Sequence, residues 1–318
     1  MPSLLQGENY SLLHLELLYH HINNVVSILH AGENRCEHLT SLILKEAFRT
    51  PYLMDEILAI SAAHLSTEEP SRREYYLTEA TRLQTRAISQ FNSQQAEISE
   101  ENCLAPFMFS AFLGQHVIFD AFSSYSNFPS LLEKFVQCLG IHRGIRAIAS
   151  KSWPKLRDLF GVKSFDLRKA SEFKPHDECR SLVDMVSKSD LSQEGRAACI
   201  DAIECTQQMF DYRQPEGLSK SRQASVFQEW PVRVSVEYVA LLQQRRPEAL
   251  VLLAYYAILL HYTRDHWAVG DIGAFIIREI TCHLGPYWSR WLELPNQVLM
   301  EDMSPSAAAY SARGTDEV

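Results

Sequence analysis

The stretch RPEALVLLAYYAILLHYTRDHW, residues 246–267, decides how the rest of the chain is read. Its apolar run from Ala249 to Tyr262 holds 14 residues, with Tyr255, Tyr256, His261 and Tyr262 taken as apolar-bodied. A bilayer span needs roughly 20, so the run is too short to cross a membrane. Pro247 suits the first turn of a helix, where its missing N–H costs nothing. Glu248 favours the positive end of the helix dipole and Arg264 the negative end. Apolar residues cover every face, which predicts a helix buried all round. The polar tips of Tyr255, Tyr256, Tyr262 and His261 then each need a partner, from protein, water or ligand.

Outward from this segment, helical periodicity dominates the chain. Leu12, Leu13, Leu15, Leu17, Leu18, Ile22, Val25, Val26, Ile28 and Leu29 predict one long first helix. A second is expected over about 38–49, ending before Pro51, and a third, PYLMDEILAISAAHLS, over 51–66. A fourth carries Tyr75, Tyr76, Leu77, Ala80, Leu83, Ala87, Ile88 and Phe91. Its other face, with Glu74, Glu79, Arg82 and Arg86, reads as a salt-bridged outer surface. A very apolar segment follows over about 100–123, Pro129 opens another helix, and Trp153-Pro154 begins a short one. Further helices are expected over 176–188, 194–213 and 231–244, and within GDIGAFIIREITCHLG (270–285) and PYWSRWLELPNQVLM (286–300).

Residues 161–175, GVKSFDLRKASEFKP, have weak periodicity and read as a surface loop, the best candidate for a lid. The tail from Ser304 is small and polar and is expected to be disordered. No strand run is flanked by hairpin turns, no fixed repeat recurs, and no compositional break forces two domains. The expected fold is all-α: one large domain over 1–303 with about 12 helices and an apolar internal pocket, followed by the tail 304–318.

A hydrophobic fraction of 46% across 318 residues is enough for a sizeable core. The net charge of −9 argues against a nucleic-acid surface, which needs clustered Lys and Arg. MPSLLQGENYSLLHLELL lacks the basic start of a secretory signal, so the expected location is intracellular, cytoplasmic or nuclear. The seven cysteines are scattered, and no CxxC pair occurs. They read as reduced, mostly buried thiols without a zinc site.

The usual chemical signatures are absent. There is no GxSxG, HExxH, GxxxxGK[ST] or GxGxxG, and no DDxxD-type cluster. His20 and His21 are adjacent and therefore point to different helix faces, and His261 and His266 are poorly spaced for a shared metal. No cofactor and no metal is expected. What remains is aromatic. One segment holds Phe107, Phe109, Phe112, Phe119, Phe122, Tyr125 and Phe128, with Gln115 and His116 among them; another runs from Tyr255 to Trp291. Ligand pockets are mostly apolar with a few placed polar groups, and both segments fit that description as well as they fit plain core.

In order along the chain, LLHLELLYHH (12–21), PYLMDEILAISAAHLS (51–66), YYLTEATRLQTRAISQFN (75–92), RPEALVLLAYYAILLHYTRDHW (246–267) and WSRWLELPNQVL (288–299) resemble the regulatory domain of fungal zinc-cluster transcription factors of the sterol-uptake regulator type. The resemblance implies an all-helical domain that binds a sterol-like ligand in an apolar pocket built largely by C-terminal helices. Two departures stand out. Leu294-Pro295 replaces the family's Trp-Pro, and the family's six-cysteine DNA-binding cluster is not in this chain. The expectation is a sensing fold without its output module.

Two readings follow. In the first, the pocket is redeployed in fungal specialised metabolism and binds a terpenoid- or polyketide-like molecule. Catalysis would then come from orientation and hydrogen bonding, as in a hetero-Diels–Alder closure. Tyr255, Tyr256, His261 and Arg264 would be the donors; His116, Phe119, Phe122, Trp267 and Trp288 would bind substrate. In the second, the chain is a transcriptional regulator sensing a sterol-like lipid, without DNA contact of its own. Both expect a hydrophobic small molecule as partner, no membrane span, and a homodimer.

Overall fold

Apolar residues at helical spacing give helices throughout the computed structural model, which describes residues 11–25, 36–94, 99, 102–160, 177–213 and 220–302. Among them no strand occurs, and the all-α class read from the sequence holds. In chain order the helices are α1 (Leu12–His20, continued by a π-helical turn, His21–Val25), α2 (Cys36–Ala47), α3 (Pro51–Glu68), α4 (Arg73–Ser93), α5 (Leu104–Ser123), α6 (Phe128–Phe160) and α7 (Arg180–Ser187). They continue with α8 (Gln193–Arg213), α9 (Lys220–Arg233), α10 (Val236–Gln243), α11 (Pro247–Tyr262), α12 (Ile272–Leu284) and α13 (Glu293–Asp302). Short 3₁₀ turns cover Pro70–Arg72 and Pro286–Trp291. The proposed lid at 161–175 and the tail from Ser304 lie outside the described residues, as does the far end of the long first helix.

Two boundaries differ from expectation, both at prolines. Trp153-Pro154 does not begin a helix; α6 continues through it to Phe160. Pro231 does not open a helix over 231–244 but lies in the last turn of α9. The next helix starts after Ser235, whose hydroxyl accepts the Tyr238 N–H at 3.2 Å, as an N-cap residue does. Proline fits a first turn, but it also survives deeper in a helix at the loss of one backbone donor. Sequence alone does not separate these cases.

The helices gather into two compact units. The first comprises Met1–Phe119, Gly144–Ser164 and Ser219–Ser221. Its centre is α3, buried continuously from Tyr52 to Ser66 and packed most extensively on α4. Tyr52, Phe91 and Phe109 form an aromatic cluster there, with centroids 4.7–5.2 Å apart.

The second unit comprises Asp120–Arg143, Phe165–Leu218 and Arg222–Val318. Its centre is α11, which starts at Pro247 and is buried from Glu248 to His261, as the sequence predicts. Glu248 lies 3.5 Å from Arg246, and Arg246 also pairs with Asp190. Against α11 pack α12, α8, α13 and α10. A close approach occurs at Gly273 of α12, where only the absence of a side chain lets the backbone of Ala257 and His261 come so near.

One described helix, α5, is long and apolar enough to cross a bilayer, but 67% of its apolar window is buried within the fold, as in a core helix. Cys103, Cys138, Cys179, Cys199 and Cys205 are buried and unbridged, and Cys282 is exposed. Burial pushes the Cys199 thiol up to about 12 and raises Cys138 and Cys179 further, so none of these three is a ready nucleophile.

Candidate functional site

In the second unit, the α11 tyrosines find protein partners. Tyr256 is fully buried; its hydroxyl donates to the Phe227 carbonyl of α9 at 2.8 Å. Its ring lies 4.3 Å from that of Trp230, nearly parallel, and 6.0 Å from Phe135. Trp230 in turn donates its indole N–H to Thr206 of α8 at 2.9 Å. Tyr255 is also buried, with its hydroxyl close to Ser181 at the start of α7. Burial raises Tyr255 to about 12 and Tyr256 well above the ordinary phenol range. Both stay protonated donors, but the two hydroxyls leave α11 toward different helices.

His261 and Arg264 are brought together at the C-terminal end of α11. His261 is buried, and the guanidinium of the exposed Arg264 donates to its carbonyl at 3.3 Å. Trp267 is half-buried with its ring 5.9 Å from that of His266. Phe122 is buried and stacks on Phe135 at 5.7 Å. Trp288, half-buried, sits in a surface group with Tyr287 and Trp291, at 5.6 and 5.3 Å. An open pocket of about 570 Å³ lies at the start of α8, lined by Ser192, Gln193, Glu194 and Ala197. Those lining residues include none of the nine sequence-derived candidates.

His116 and Phe119 belong to the first unit, and both are buried. The His116 Nδ1 is 3.1 Å from Glu56 Oε1, with both side chains almost wholly enclosed. One residue before Glu56, the fully buried Asp55 accepts two bonds from Arg86 of α4, at 2.7 and 2.5 Å. Gln115 is buried beside His116 in sequence, and among the described residues neither of its amide atoms has a hydrogen-bond partner. The other Glu56 carboxylate oxygen is likewise buried without one. Buried polar groups are nearly always satisfied, so each of these atoms calls for a water or another polar group.

Sequence reasoning singled out His116 but not Glu56, Asp55 or Arg86 as its neighbours in a polar core. A signal was present: Asp55-Glu56 sits inside an otherwise apolar run, and acidic residues are almost never fully buried unless paired.

Residues 16–116 match the family model described as fungal specific transcription factor domain. The matched stretch lies wholly within the first unit, from α1 to His116 itself. A comparison with curated proteins finds no match.

Proposed function

We propose, with the family match over 16–116 as premise, that the chain is a regulatory-type helical domain that binds a hydrophobic small molecule and acts through transcription. The observation that carries this reading is that the matched segment lies wholly within the compact unit organised on α3. A buried ion pair such as Asp55–Arg86 can favour one packing over others, a specificity role that such pairs serve in some proteins. Buried polar atoms on Glu56 and Gln115 that lack a partner among the described residues suit the single hydroxyl or carbonyl of an otherwise apolar ligand. The C-terminal helices extend the same reading through the resemblance of 246–267 and 288–299, and the protein would act inside the cell, in cytoplasm or nucleus.

The cyclisation reading rests on Tyr255, Tyr256, His261 and Arg264 acting on one substrate. It draws less support, because the Tyr256 hydroxyl already donates to a backbone carbonyl of α9.

The test is a fusion of the full chain to a heterologous DNA-binding module, with reporter transcription measured with and without a lipid extract. Extract-dependent transcription is the expected result. Native mass spectrometry on the same extract supplies the opposing outcome. A retained molecule released in chemically altered form, with no reporter response, would overturn the regulatory reading in favour of cyclisation.

A further inference from the structure

Helices α1 and α3 meet through two imidazoles. His20 Nε2 lies 2.9 Å from His64 Nδ1, with ring centroids 5.0 Å apart and planes inclined at 43°. His64 is buried and His20 half-buried. Each has a carboxylate four residues away on its own helix, Glu16 before His20 and Glu68 after His64, and residues four apart share a helix face. The helices run antiparallel here. His21 contacts Ser61 at 3.1 Å, while Glu16 and Glu69 both accept from the Tyr76 hydroxyl, at 3.2 and 3.5 Å. An E-x₃-H pair on α1 therefore faces an H-x₃-E pair on α3, with the carboxylates at the same end.

We propose that His20 and His64 are the paired nitrogen ligands of a divalent transition-metal site of the zinc, nickel or copper class, completed by Glu68 and water. The spacing fits. With metal–nitrogen bonds of 2.0–2.1 Å, two neighbouring ligand nitrogens stand about 2.9–3.4 Å apart, and this pair is at the short end of that range. Imidazole nitrogen with a single carboxylate selects these metals over magnesium or calcium.

Among the described residues no three His, Cys, Asp or Glu side chains are already gathered around one point, so binding requires a carboxylate to swing in. Glu68 is exposed and lies one turn from His64. Glu16 is already engaged by Arg72, at 3.5 Å, and by Tyr76, and serves better as a neighbouring negative charge than as a ligand.

The experiment is zinc titration of chelator-treated full chain by calorimetry, alongside H20A, H64A, E68Q and, as control, H283A. One zinc per chain is expected. It should weaken at least tenfold in either histidine variant, weaken less in E68Q, and remain unchanged in H283A. Should a histidine variant fail to fold, copper(II) bound to the wild-type chain reads the site directly, because electron paramagnetic resonance counts the coordinating nitrogens. Two imidazole nitrogens support the site. One or none, or zinc affinity equal in wild type and H20A, overturns it and leaves the pair as a hydrogen bond between neutral rings.

Discussion

The Tyr256 hydroxyl donates to the Phe227 carbonyl, and Phe227 is the residue four before Pro231. Proline has no N–H, so this carbonyl lacks its usual helical donor, and a side chain from α11 supplies one. Replacing Tyr256 by Phe strips a buried acceptor of that partner and is expected to cost about 1–3 kcal/mol. Restoring the backbone donor with Pro231→Ala in the Tyr256→Phe background should recover most of the loss. Urea unfolding of the two single variants and the double variant gives the coupling, expected at about 1 kcal/mol or more. Strict additivity would mean that the carbonyl has another donor.

Gly273 is the second point at which α11 dictates its neighbour. A Cβ there would sit 2.5 Å from the Ala257 carbonyl oxygen and 2.8 Å from the His261 Cα, and closer still to the His261 amide nitrogen. These are backbone atoms and cannot rotate away. Gly273→Ala should therefore reach or exceed the upper end of ordinary overpacking, about 1–3 kcal/mol, read as a fall in the denaturation midpoint. A change within about 0.5 kcal/mol, as at an uninvolved surface position, would show that α12 slides off α11 without cost.

These two relationships mark what the sequence discloses and what it withholds. The all-round burial of α11 and its start at Pro247 are legible because composition and helical period act locally. The need of Tyr256 for a partner was equally legible, but the partner lies 29 residues away. It arises from packing, which no local pattern encodes. Prolines 154 and 231 are ambiguous by sequence, because the residue type fits both a helix start and a helix interior or end. In α3 the charges Asp55 and Glu56 announced pairing, while Arg86 and His116, at separations of 31 and 60 residues, emerge only from the fold.

Arg82 and Arg86 lie on one face of α4 by sequence, yet they sit in different surroundings. Arg82 pairs with Glu79 three residues away and is half exposed, whereas Arg86 reaches the buried Asp55. Arg86→Ala leaves an enclosed carboxylate without its ion partner and is expected to cost about 3–5 kcal/mol. Arg82→Ala should cost no more than about 1 kcal/mol. Equal losses in thermal or urea unfolding would contradict the burial of Asp55.

His142 gives the pH dependence a sign. It is buried in α6, its Nδ1 is 2.9 Å from the Cys138 carbonyl, and burial lowers it from 6.5 to about 4. Between those values the unfolded chain takes up a proton that the folded chain refuses. The contribution of His142 to stability is therefore complete above about pH 6.5 and is lost as pH falls toward 4. Its full size is about 3 kcal/mol. His142→Gln keeps an amide able to donate to the same carbonyl but has nothing to titrate. Unfolding free energies at pH 7 and pH 4.5 should fall less for the variant than for the wild type. Parallel losses in the two proteins would place the acid sensitivity elsewhere, with His142 charged in the fold.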